Sequence, residues 1–118
     1  TYSNAGHYHP LWFKSAEKAF ARLTSGGVPV GIASEQEYPQ ETIQLSSNDL
    51  VIMYTDGLIE AKKTNGEMFG IDRLKRVVEQ NSALSAHDLF EKIEASVHEF
   101  IEKAPAFDDM TLIVIRVL

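Results

Sequence analysis

Two groups of carboxylates stand where an apolar run meets a polar loop. Asp56 follows Leu50–Tyr54, and Asp108-Asp109 precede the run 110–118. If the two runs are antiparallel neighbouring strands, the end of one lies beside the start of the other, and both groups converge on one sheet edge. Clustered carboxylates repel unless a cation lies between them, and oxygen ligands with water suit hard divalent ions such as Mg²⁺ or Mn²⁺. A pair of such ions can activate water and neutralise a phosphoryl group. The same residues admit a plainer reading, in which Asp56-Gly57 is a turn after a strand and Asp108-Asp109 is solvated loop. Position alone decides neither.

Two other phosphoryl-transfer arrangements fit less well. An aspartyl-nucleophile site of the haloacid-dehalogenase type wants a second Asp two positions from the first, where Tyr54 stands; a receiver domain places its acidic pair after an early strand, not before the last one. His7 and His9 would share one face of an extended strand, but no third nitrogen or sulfur ligand is near in sequence, and a turn beside Pro10 suits them better. His87 and His98 fall among acidic residues on a helical pattern and are expected in solvent. Gly27-Val28-Pro29-Val30-Gly31 lacks the Lys-Ser or Lys-Thr of a phosphate-cradling loop and reads as structural.

The elements that must position these groups change character along the chain. The first half reads as short strands between turns: residues 2–4, Leu11–Lys14 and 19–23, then the breaker Gly26-Gly27-Val28-Pro29. Residues 41–45 alternate polar and apolar, Ser46-Ser47-Asn48-Asp49 supplies turn chemistry, and Leu50–Tyr54 follows, which predicts a hairpin with a buried second strand. In the second half Ile71, Leu74, Val77 and Val78 lie on one helical face after a loop marked by Asn65-Gly66 and Gly70. A second helix is expected over 85–103, with Ser85 and Asp88 in a capping arrangement and Leu89, Phe90, Ile93, Val97, Phe100 and Ile101 on one face. Residues 110–118, apolar at both parities apart from Arg116, predict a strand covered on both faces. Strands, two amphipathic helices and a returning strand describe an α+β domain rather than a βαβ repeat.

With 118 residues and 44% apolar content the chain can enclose a core. Eleven basic against 17 acidic residues give a net charge of −6, which disfavours nucleic acid and anionic membrane partners. No apolar run approaches a membrane span, and the absence of cysteine agrees with a cytoplasmic location. The start on Thr1, directly in a strand-like segment, reads as a cut from a longer protein.

In order along the chain, Asn4-Ala5-Gly6-His7, Gly27-Val28-Pro29-Val30-Gly31, Asp49-Leu50, Tyr54-Thr55-Asp56-Gly57-Leu58-Ile59-Glu60-Ala61, Phe69-Gly70 and Asp108-Asp109-Met110-Thr111-Leu112 resemble the second half of the bacterial PPM-type (PP2C-like) phosphatases. The subgroup they resemble is that of the sporulation stage II and sigma-factor partner-switching phosphatases. The resemblance implies part of a four-layer α-β-β-α sandwich of antiparallel sheets flanked by helices, with two Mn²⁺ or Mg²⁺ ions at one end. It further implies hydrolysis of phosphoserine or phosphothreonine by a metal-bridging water, without a phosphoenzyme. Asp56 matches the carboxylate near both metals, with Gly57 beside it; Asp108 matches a ligand of one metal, and Asp109 has a supporting role. Asn4, Gly6 and His7 match a motif near the site.

The implied substrate is a phosphorylated regulatory protein of the anti-sigma factor antagonist type, with sensor or receiver domains upstream in the parent chain. The family's first metal motif, an Asp with a small glycine-containing segment, has no counterpart, because Asp56-Gly57 is the sole Asp-Gly pair. Residues 1–118 are therefore expected to be the C-terminal portion of one phosphatase domain, inactive in isolation and prone to form a homodimer through an open sheet edge. The alternative is a non-catalytic interaction module in signalling.

Overall fold

The computed structural model describes residues 1–102, 104 and 109–118. Its strands are β1 (Asn4–Ala5), β2 (Leu11–Lys14), β3 (Ala19–Arg22), β4 (Gly26–Gly27), β5 (Leu50–Tyr54) and β6 (Leu112–Arg116). Its helices are α1 (Asp56–Ile59), α2 (Gly70–Gln80) and α3 (Ala86–Ile101). Four strands make an antiparallel sheet in the order β3-β2-β5-β6, while β1 and β4 form a short parallel ribbon.

Register decides which side chains meet the helices. Arg22, Leu11, Ile52 and Val114 are aligned across the sheet, as are Phe20, Phe13, Leu50 and Arg116. With period-two alternation all eight point to one side. On that side Leu11, Leu50 and Ile52 are fully buried with Leu74 and Val78 of α2 and Leu89, Ile93 and Val97 of α3. The helical faces read from the sequence are thus the faces that pack, except that Phe90, expected on the packed face of α3, is only half-buried and lies outside the core cluster. Ser85 caps α3, its hydroxyl oxygen accepting the Asp88 N–H at 3.1 Å. His87 and His98 are in solvent, where the sequence puts them. Arg116, which interrupts the apolar run of β6, donates to the carbonyls of Ser82 and Leu84, both at 2.7 Å, and ties the α2–α3 connection to the sheet.

Two expectations are corrected. Residues 41–45 form no hairpin with β5, because both edges of β5 are taken, by β2 and β6. Glu41 instead exchanges backbone hydrogen bonds with Tyr2 at 2.9 and 3.0 Å, and the turn at 46–49 closes onto the end of β6 through Asn48 N–H to Val117 O at 2.8 Å. Nor is β6 covered on both faces: Ile113 is 49% and Ile115 43% exposed. They line, with Val51, Met53, Ile43 and Leu45, an apolar groove of about 530 Å³ on the side away from the helices. Among the described residues no helix is long and apolar enough to cross a membrane.

Candidate active site

β5 delivers Asp56 to the end of the sheet, and β6 starts beside it. The junction is pinned by Thr55, whose N–H donates to Thr111 O at 3.1 Å and whose hydroxyl oxygen accepts the Thr111 N–H at 3.0 Å. The same hydroxyl donates to Asp109 O at 3.4 Å, so Asp56 and Asp109 belong to one edge, and both are exposed. Asp108 lies outside the described residues. Asp56-Gly57 opens the single-turn helix α1: one Asp56 carboxylate oxygen accepts the Gly57 N–H at 2.9 Å, and the Asp56 carbonyl accepts the Glu60 N–H at 2.8 Å.

Asn4, Gly6 and His7 build a stapled turn rather than a ligand cluster. Asn4 Oδ1 accepts the His7 N–H at 2.7 Å while its amide donates to His7 O at 2.9 Å. Gly6 has φ of +80°, and a Cβ there would stand 2.3 Å from the Pro29 ring, so only glycine fits. At Gly26 a Cβ would meet Asn4 O at 2.0 Å. The two glycine-bearing motifs are therefore one packed unit, and the structural reading of 27–31 holds.

That turn presents Tyr8 to the acidic edge. The Tyr8 hydroxyl lies 3.5 Å from Glu60 Oε1, and its pKa is raised by burial and then by the charges of Glu60 and Asp56. Tyr54 donates to His9 O at 3.3 Å, and burial raises its hydroxyl pKa against the opposing charge of Arg22. His7 Nδ1 donates to Tyr8 O at 3.1 Å, which fixes the proton on that nitrogen. Beside these groups a cleft of about 400 Å³ is lined by His7, His9, Arg22 and Tyr54 with Ile59 and Ile71.

Asp49 is a structural carboxylate behind the site. It is 3% exposed and accepts from Trp12 Nε1, Ser15 N–H and Ser46 N–H, each at 2.9 Å. Burial pushes its pKa up, but these donors and the charge of Lys14 outweigh it and hold the carboxyl below its ordinary value of 3.8. It fixes the start of β5 against β2, and so the strand that carries Asp56. Its signal in the sequence is an Asp closing a Ser-Ser-Asn turn just before an apolar run.

The donors on the acidic edge are exposed carboxylate oxygens, the right type for a hard divalent ion. Among the described residues no group of three or more His, Cys, Asp or Glu side chains is placed to hold one. Asp56 and Asp109 match such a donor set in chemical kind only, and do not by themselves make up a metal site.

The family model described as Stage II sporulation protein E (SpoIIE) matches residues 1–118. The chain belongs to the SpoIIE family. It is 28% identical over 116 residues to the phosphoserine phosphatase RsbU of Bacillus subtilis, covering 98% of this chain and 34% of that protein. Its fold is that of PP2C domains. The SiaA PP2C domain of Pseudomonas aeruginosa superposes with a TM-score of 0.78 at 16% identity, over 97% of this chain and 44% of that one. The PP2C domain of SpoIIE from Bacillus subtilis, with a fragment of its regulatory domain, gives 0.73 at 20% identity, over 98% and 33%. The chain spans about a third of the length of RsbU.

Proposed function

We propose that the full-length protein is a metal-dependent protein serine/threonine phosphatase. Its substrate would be a phosphorylated regulatory protein of the anti-sigma factor antagonist type, in the cytoplasm. The observation that carries this reading is that Asp56 and Asp109 both stand exposed where β5 ends and β6 is about to begin, with Asp109 O bonded by the Thr55 hydroxyl, in a chain of the SpoIIE family. In this reading residues 1–118 are the C-terminal portion of the phosphatase domain. The first metal motif and the second sheet then lie outside it, in keeping with the open apolar face and with a match to under half of the solved SiaA domain.

Asp56, Asp108 and Asp109 would contribute oxygen ligands to two Mn²⁺ or Mg²⁺ ions. One solved structure of the Bacillus subtilis SpoIIE phosphatase domain is of a form presoaked with Mn. Bound ions would supply activation of water and compensation of the phosphoryl charge. The chain's own residues do the positioning: Thr55 and Asp49 hold β5 in place, the Gly57 N–H orients the Asp56 carboxylate, and Tyr8 borders it.

Asp56→Asn and Asp108→Asn in the full-length protein each remove a ligand charge with little change of size and should abolish Mn²⁺-dependent hydrolysis while the circular dichroism is unchanged. Near-wild-type turnover in both would overturn the assignment. The apolar groove favours a second reading, a non-catalytic interaction module, and an inactive wild type that still binds a phosphorylated regulator would establish it.

A further inference from the structure

Three of the four arginines have evident employment or an anionic neighbour. Arg116 binds the Ser82 and Leu84 carbonyls; Arg73 pairs with Glu67 and binds the Met68 and Phe69 carbonyls; Arg76 lines a small cleft on α2 and α3 that also contains Glu99. Arg22 differs. Like Arg76 it has no carboxylate within ion-pair distance among the described residues, but it shares its cleft with no carboxylate either, and it stands at the end of edge strand β3 on the helix side of the sheet. It lines the 400 Å³ cleft shared with His7, His9 and Tyr54, and its charge reaches the Tyr54 hydroxyl. His7 and His9 are both exposed there, and the His7 ring is oriented by its Nδ1 bond.

The surroundings make an unpaired cation at this position informative. The chain carries a net charge of −6, and the neighbouring edge bears Asp56, Glu60 and Asp109, which repel an approaching phosphoprotein at long range. A guanidinium with no ion-pair or hydrogen-bond partner among the described residues, next to two imidazoles in a cleft opening beside that edge, matches an oxyanion in charge and in hydrogen-bond geometry.

We propose that Arg22, with His7 and His9, forms a substrate-recognition subsite that receives an oxyanion of the phosphoprotein, either a carboxylate flanking the phosphoserine or the phosphate itself. The subsite rests on the phosphatase reading only for the identity of its ligand. Arg22 is a specificity residue in it.

The test compares full-length wild type, Arg22→Gln and Arg22→Lys on two phosphoserine peptides, one with Glu and one with Gln beside the phosphoserine, and on p-nitrophenyl phosphate. Loss of a charge-assisted contact predicts that Arg22→Gln raises KM by about tenfold with kcat little changed, and that Arg22→Lys restores part of the loss. A rise confined to the Glu peptide assigns the flanking carboxylate; a rise on all three substrates assigns the phosphate. An unchanged KM on every substrate, or a fall in kcat alone, overturns the subsite. Equilibrium binding of the labelled peptides, read by fluorescence anisotropy, keeps this separate from turnover. If wild type hydrolyses nothing, the phosphatase reading fails, and equal peptide affinity for wild type and Arg22→Gln still rejects the subsite.

Discussion

The two faces of the four-stranded sheet are made by the same alternating strands yet end in opposite states. Toward the helices, Leu11, Leu50 and Ile52 are wholly buried under α2 and α3. On the other side, Val51, Met53, Ile113 and Ile115 line a groove together with Ile43, Leu45 and N-terminal residues, and Ile113 and Ile115 stay exposed. An apolar alternate face is the sequence mark of a second packing layer, as in a sandwich. The covered face explains how Asp56 is held; the open face is the one that the proposed second layer would cover.

The largest effect that would sharpen this contrast lies on the covered face. Phe100 is 9% exposed, meets Phe69 edge to face at 5.6 Å, and has Lys63 and Arg73 over its ring at 4.8 and 4.5 Å. Phe100→Ala should cost about 3–5 kcal/mol in urea unfolding. A cost below about 1 kcal/mol would place that face in solvent.

An intermediate effect is expected where Asp49 ties the start of β5 to β2 and to the turn before it. Replacing it with Asn removes the charge that three N–H donors solvate and should cost about 2 kcal/mol at neutral pH. Because the folded-state pKa is lowered, this stabilisation is present above 3.8 and is lost as pH falls through the lower folded value. Wild type and variant should converge in stability in acid; a constant gap between pH 7 and pH 2 would contradict the role given to Asp49.

The smallest effect is expected on the open face. Ile113→Ala should change the stability of the isolated 118 residues by less than about 1 kcal/mol, but that of the full-length protein by about 2 kcal/mol or more if a second layer covers it. Equal costs in both would break the contrast between the faces.

Legibility in the sequence followed how local each feature is. The buried stripe of α3 and its Ser85 cap depend on residues within a few turns, and periodicity suffices to find them. The hairpin at 41–45 failed because turn chemistry at 46–49 does not reveal which strand receives the next one, and here the partner was β6, far along the chain. At the site, Asp56 was legible from its place after an apolar run. Arg22, Tyr8 and Glu60 were not, since only the pairing of β2 with β3 and the stapled Asn4–His7 turn bring them near it. Coverage of β6 was misjudged for a related reason: an apolar face records a need for a partner, without recording where the partner is encoded.

The most direct test of the central claim is phosphate release from a phosphoserine protein by the full-length protein across a Mn²⁺ titration, with residues 1–118 alone assayed beside it. The account predicts saturable, Mn²⁺-dependent turnover by the full-length protein, none in excess chelator, and negligible activity from the isolated chain. Turnover that persists in chelator, or robust turnover by the isolated chain, would contradict it.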